Sequence, residues 1–188
     1  MPVADVRLLE KVARGLSEPR VDAPTGAESS ILTVAAGAYG ARPAGDENTV
    51  PTGFDPRVAA LFEGIVEAAY LVANADGQFD DTERRAFEQV VFQACGGAVA
   101  AQQIGNLLAD LGDLLGEDGL DRRILIVSRT VTNRDHQREV LRIAGLLAHV
   151  SGGVSEVERR MLDRLAESFD LTPDEVDRAL AAVRAALA

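Results

Sequence analysis

"IVEAAYLVANADGQFDDTERRAFEQVV" (residues 65–91) returns in altered form as "VLRIAGLLAHVSGGVSEVERRMLDRLA" (140–166), at an offset of 75 positions. The identical pairs are Ala69/Ala144, Leu71/Leu146, Ala73/Ala148, Gly77/Gly152, Glu83/Glu158, Arg84/Arg159 and Arg85/Arg160. Apolar character is shared at Ile65/Val140, Phe79/Val154 and Phe87/Leu162. Both copies have the same grammar. An apolar run at helical spacing reaches a glycine, the residue that takes positive φ without a Cβ penalty. One apolar residue, Phe79 or Val154, then plugs the turn. Next comes an N-cap, Asp80 or Ser155, with Glu83 or Glu158 three residues on. That is the spacing of a capping box, which satisfies otherwise orphaned backbone N–H groups. Two copies are too few for a solenoid. They predict a pseudo-symmetric pair of helix–loop–helix hairpins that bury their apolar stripes against each other.

The same periodicity extends outward from the repeat. Leu61, Ile65, Ala69 and Val72 form one stripe, and Phe87, Val90, Val91 and Ala94 the next. Others run through Ile104, Leu107, Leu108, Leu111, Leu114 and Leu115, through Leu120, Ile124, Val127 and Val131, and through Val140, Ile143, Leu147 and Val150. Leu162, Leu165 and Phe169 make a sixth, and Val176, Leu180 and Val183 the last. Each spacing is helical. The stops between them are Gly77, Gly96-Gly97, Gly116, Asn133, Gly152-Gly153 and "DLTPDE" (170–175), where Thr172, Pro173 and Glu175 make a strong helix start. Toward the N terminus, Val6, Leu9, Ala13 and Leu16 predict an amphipathic helix, broken at 17–27 by two prolines and a glycine. "SSILTVAAGAYG" (29–40) is apolar enough for a buried helix and β-branched enough for a short strand. Residues 41–56 read as a loop, long for a compact domain and therefore either mobile or used for something. Nothing after residue 56 alternates with period two. The expectation is a single all-α domain over 1–188: an N-terminal helix and irregular segment in 1–55, then a repeat-containing core in 56–188, with about seven to eight helices in all.

At 188 residues the chain is long enough to bury a real core, and 47% hydrophobic residues exclude a disordered one. A formal net charge of −11 argues against nucleic acid and against an anionic membrane surface as partners. A cationic protein segment or a metal cation suits the sign better. Lys11 is the only lysine and has no glycine-rich loop before it, which disfavours a Walker-type phosphate loop or a Schiff base. Cys95 is the only cysteine, so neither an intrachain disulfide nor a thiolate zinc cluster is available. No uncharged apolar run reaches the roughly 20 residues of a membrane span, and the opening "MPVADVRLLEK" has no apolar signal core. A cytoplasmic location is expected.

The candidate site is the first corner, where Asp76, Asp80, Asp81 and Glu83 fall within eight positions. Set against a twelve-residue calcium loop, Asn74, Asp76, Gly77, Phe79, Asp80 and Glu83 occupy positions 3, 5, 6, 8, 9 and 12. Position 1, which supplies an essential carboxylate, would be Val72, a core residue. Two readings follow. In one, Asp80 and Glu83 cap the helix while Asp76 and Asp81 are solvated; in the other, the four carboxylates form a weak calcium or magnesium site, with no other cofactor implied. Arg84-Arg85 and Arg159-Arg160 read as local ion-pair partners at three- and four-residue spacing, with Asp81 and Glu88 in the first copy and Glu156 and Asp163 in the second. Cys95 reads as a buried thiol, His149 as a partly packed helix-terminal imidazole and His136 as solvated. The acidic "GDLLGEDGLD" (112–121) reads as a helix-to-helix turn, with a second acidic surface as its alternative.

"ANADGQFDDTERRAFEQV" resembles the tellurite-resistance TerB family, with its alanine-rich helix, Asp-Gly turn and acidic helix start. "AHVSGGVSEVERRMLDRLA" and "SFDLTPDEVDRAL" stand where the family has its second motif and final helix, so the likeness covers roughly 56–188. Where the family repeats Asp-Gly, this chain has Ser151-Gly152. The resemblance implies a compact helical bundle linked to tellurite and other stress resistance. The repeat and the negative charge point to a non-enzymatic protein-interaction module of this class, whose acidic surface at Asp76, Asp80, Asp81 and Glu83 meets a basic partner. Sensing or buffering of a divalent cation through the same turn is the alternative.

Overall fold

The computed structural model describes residues 5–23, 27–42 and 54–188, and most of the 41–56 loop lies outside them. Among the described residues the chain forms α1 (Val6–Ser17), α2 (Ile31–Gly40), α3 (Pro56–Ala73), α4 (Asp81–Ala94), α5 (Ala101–Asp118), α6 (Leu120–Thr130), α7 (Arg134–Ala148), α8 (Glu156–Ser168) and α9 (Pro173–Leu187). A 3-10 turn, His149–Ser151, follows α7. The ambiguous 29–40 stretch is the helix α2, which raises the count above the seven or eight expected. Ser30 caps it by accepting from the Thr33 N–H, and Leu32, Ala35, Ala36, Ala38 and Tyr39 are buried. Tertiary burial of these alanines outweighs the β-branched residues, whose helix penalty is only tenths of a kcal/mol.

A second difference lies at the end of α5. Gly116 stays helical, and the break is Gly119, whose φ of +77° serves as a one-residue joint into α6. A glycine inside a helix costs about 1 kcal/mol but does not end it. Between α5 and α6, positive φ is needed at Gly119 and not at Gly116. Asp55 and Pro56 start α3 as a strong pair, with the Asp55 carboxylate accepting from the Arg57 and Val58 N–H groups.

The first helices of the two repeats, α3 and α7, form the central pair, flanked by α2 on α3 and α9 on α7. Phe62, Ile65, Ala69 and Val72 of α3 and Val140, Ile143, Ala144 and Leu147 of α7 are fully or almost fully buried. The two hairpins do not close alike. α8 lies against α7 and also against α3, whereas the closest partners of α4 are α1 and α5 rather than α3. Phe79 bridges the first hairpin: it stands edge-to-face with Tyr70 of α3, centroids 5.4 Å apart, and with Phe87 of α4, 5.9 Å apart. Val154 takes the equivalent place at the second corner.

Two ion pairs are buried, one between helices and one within α7. Arg123 Nε on α6 donates to Glu67 Oε1 on α3 at 2.6 Å. Arg142 on α7 pairs with Glu139 and also donates to the carbonyls of Gly15 (2.7 Å) and Glu18 (3.0 Å), tying α7 to the end of α1. One close approach needs glycine: a Cβ at Gly40 would sit 1.8 Å from the carbonyl oxygen of Ala98. No helix among the described residues is long and apolar enough to cross a membrane.

Candidate functional site

The two corners are built as their sequences require. Gly77 (φ +74°) and Gly152 (φ +119°) turn the chain in the left-handed region. Asp80 Oδ1 accepts from the Thr82 and Glu83 N–H groups at 2.8 and 2.9 Å, and Glu83 Oε2 accepts from the Asp80 N–H at 3.1 Å. At the second corner, Glu158 Oε2 accepts from the Ser155 N–H at 2.7 Å and Ser155 Oγ from the Glu158 N–H at 3.3 Å. Asp76 Oδ1 accepts from the Gln78 N–H at 2.9 Å, closing a short turn over the glycine. Asp76, Asp80 and Asp81 are exposed, and Glu83 is half-buried.

Folding brings the corners face to face. Ala73, Asp76 and Glu83 from the first, with Gly152, Gly153, Val154, Ser155 and Glu158 from the second, line one cleft of about 380 Å³. Of the four carboxylates nominated at the first corner, Asp76 and Glu83 reach this cleft; Asp80 and Asp81 are not among its lining residues. Asp80 is committed to its cap. The carboxylate that joins them is Glu158, which a site confined to one corner leaves out. Its signal was its place opposite Glu83 in the repeat. Burial holds the Glu158 carboxyl above the usual carboxylate range; Asp76 pushes the same way, while the Ser155 hydrogen bonds and His149 oppose it. The cleft is therefore acidic, with no lysine, arginine or histidine among its lining residues. Among the described residues, no three His, Cys, Asp or Glu side chains are grouped to hold a metal ion.

The family described as tellurite resistance protein TerB matches residues 63–181, well over half of the chain. The chain belongs to the TerB family. No curated protein and no solved structure matches it. The TerB match opens within α3 and closes within α9, so it takes in both corners and the cleft between them.

Outside the cleft, Cys95 is buried at the end of α4, and burial alone pushes its thiol up to about 12, which makes it a poor nucleophile. His149 Nδ1 lies 2.8 Å from the Gly145 carbonyl, which can only accept, so this nitrogen carries a proton. His136, expected to be solvated, is half-buried in the first turn of α7. Arg84 pairs with Glu88 and Arg159 with Asp163, both at 3.0 Å. Arg159 also reaches Asp177 of α9 at 2.8 Å, a pairing across helices that local spacing does not show. Within the acidic 112–121 stretch, Asp118 is paired with Arg122 and Arg123, and Asp121 with Arg164.

Proposed function

We propose that this TerB-family chain is a non-enzymatic interaction module whose acidic cleft receives a lysine or arginine side chain from a protein partner. One observation carries the reading: Asp76, Glu83 and Glu158 line a single cleft that holds no cationic side chain of its own. Burial and the nearby Asp76 both disfavour the charged form of the Glu158 carboxyl, and an incoming cation would oppose both effects. The exposed Asp80 and Asp81 extend the negative surface and would steer a basic segment toward the cleft. The family description supports a setting in tellurite-type stress resistance. A cytoplasmic location is part of the same proposal.

Asp76→Asn provides the test. Asparagine keeps an oxygen for the Gln78 N–H and removes only the charge. Partners captured by the wild-type protein should be weakened by Asp76→Asn and lost by Asp76→Lys; a partner held equally by all three chains refutes the reading. A calcium and magnesium arm separates cation sensing from protein binding. An ion bound at about 100 times its dissociation constant adds about 2.7 kcal/mol, which raises the melting temperature by about 5–11 °C. The interaction reading expects no such shift.

A further inference from the structure

On its other side the second corner opens a different pocket of about 550 Å³, lined among others by His149, Val154, Glu156, Arg160, Leu180 and Arg184. We propose that this pocket binds a small organic anion, with a carboxylate or phosphate head held by Arg160 and Arg184 and an aliphatic body laid on Val154 and Leu180. The first support is charge. Most arginines of this chain lie in ion pairs, but Arg160 and Arg184 have no acidic partner within 4.0 Å among the described residues. Arg159, also in the lining, is held by Asp163 and Asp177, and Glu156 is the only carboxylate there. A neighbouring cleft between α7 and α9 is lined by four arginines, but three of them are paired there, Arg20 with Asp22, Arg138 with Glu175 and Arg142 with Glu139, which leaves only Arg178 without a carboxylate.

The second support is the repeat. The equivalents of Ser151, Ser155 and His149 at the first corner are Asp76, Asp80 and Asn74. One fold element therefore occurs twice, acidic at one corner and relieved of two carboxylates at the other. Arg184, contributed by α9 from outside the repeat, makes the second corner cationic. The third support is shape. The volume is in the range of small-molecule sites, and Val154 and Leu180 offer apolar wall that a bare inorganic ion would leave unused. Guanidinium groups are the side chains best suited to oxyanion heads.

The experiment titrates the full chain with hexanoate, hexyl phosphate and inorganic phosphate, followed by amide NMR shifts. Saturable shifts at Arg160, Leu180 and Arg184 with an aliphatic anion are expected, and the tighter of the two names the preferred head. The Arg160→Gln/Arg184→Gln double variant should weaken binding about tenfold, as expected for lost charge-assisted hydrogen bonds near a surface. Both residues are exposed and unpaired, so the variant should melt like the wild type, and each single substitution gives a second route to the same reading. Arg85→Gln, the equivalent change at the first corner, should leave binding unchanged. No saturable response to either aliphatic anion, an equal response in the double variant, or inorganic phosphate bound as tightly as hexyl phosphate would each overturn the proposal.

Discussion

Replacing Arg123 by methionine removes one guanidinium from two contacts, Nε to Glu67 at 2.6 Å and Nη1 to Asp118 at 3.0 Å. Asp118 keeps Arg122 at 3.2 Å, but Glu67 keeps nothing. The Arg123 and Glu67 side chains are 8% and 7% exposed, so the orphaned carboxylate has little access to bulk water. Methionine fills much of the vacated space, which leaves the unpaired charge as the dominant effect. Such a loss costs about 3–5 kcal/mol. At about 2–4 °C per kcal/mol for a chain of this size, the melting temperature should fall by about 6–20 °C. The exposed pair Arg164–Asp121, with side chains 44% and 92% exposed, is the control, and Arg164→Met should cost no more than about 1 kcal/mol. The double variant Glu67→Met/Arg123→Met buries no charge and should lie within about 1 kcal/mol of the wild type or above it. The effect also has a pH signature. Burial is the largest influence on Glu67 and holds its pKa above the ordinary value even with Arg123 present. Without Arg123 it rises further, so the folded state binds the proton more tightly than the unfolded chain does. Stability of the variant then falls as pH rises from the unfolded carboxylate pKa through the folded one, and lowering the pH restores part of it. Urea unfolding followed by circular dichroism at about pH 5 and about pH 8 measures both effects. A loss below about 1 kcal/mol at the higher pH, or a double variant no more stable than the single one, would refute this account.

Gly40→Ala should destabilise the chain by about 1–3 kcal/mol, because the new methyl meets a backbone carbonyl that cannot rotate away; the helix-propensity gain of about 1 kcal/mol does not offset it. Thermal unfolding checks this, and an equal or raised melting temperature would mean that the approach of α2 to Ala98 is looser than described. Asp80→Ala and Ser155→Ala should each cost about 1 kcal/mol through lost N-caps, whereas Asp81→Ala should stay within about 0.5 kcal/mol in the same denaturation assay. Asp76→Asn should lower the Glu158 pKa, since it removes a like charge, and a carboxyl NMR titration that shows no downward shift would place the two groups too far apart to couple. Cys95 should resist iodoacetamide at neutral pH until the chain is unfolded; rapid labelling of the native protein would contradict its burial.

The helices were legible because each carries its own boundary chemistry. The Asp80/Glu83 and Ser155/Glu158 boxes and the Thr172-Pro173-Glu175 start are local devices. Their hydrogen bonds reach no further than three residues, and for Thr172 the Glu175 carboxylate accepts from its backbone N–H at 2.8 Å. The offset of 75 positions likewise announced two matching corners, with Phe79 and Val154 as their plugs. Where local signals conflicted, as in 29–40, burial against α3 decided for helix.

What only the tertiary structure decided is which charges meet. Glu67 and Arg123 are 56 positions apart, and Arg142 reaches the Gly15 carbonyl across 127. Along the chain, these residues look like ordinary polar members of amphipathic helices. Likewise, Asp76 and Glu83 form a cleft only because α3 and α7 pack together and carry Glu158 across to them. Caps and apolar periodicity follow from neighbours within a turn of helix, so the amino-acid order alone determines them. The sign and shape of a cleft depend on how two corners are set against each other, and only the packing of the central helices sets that.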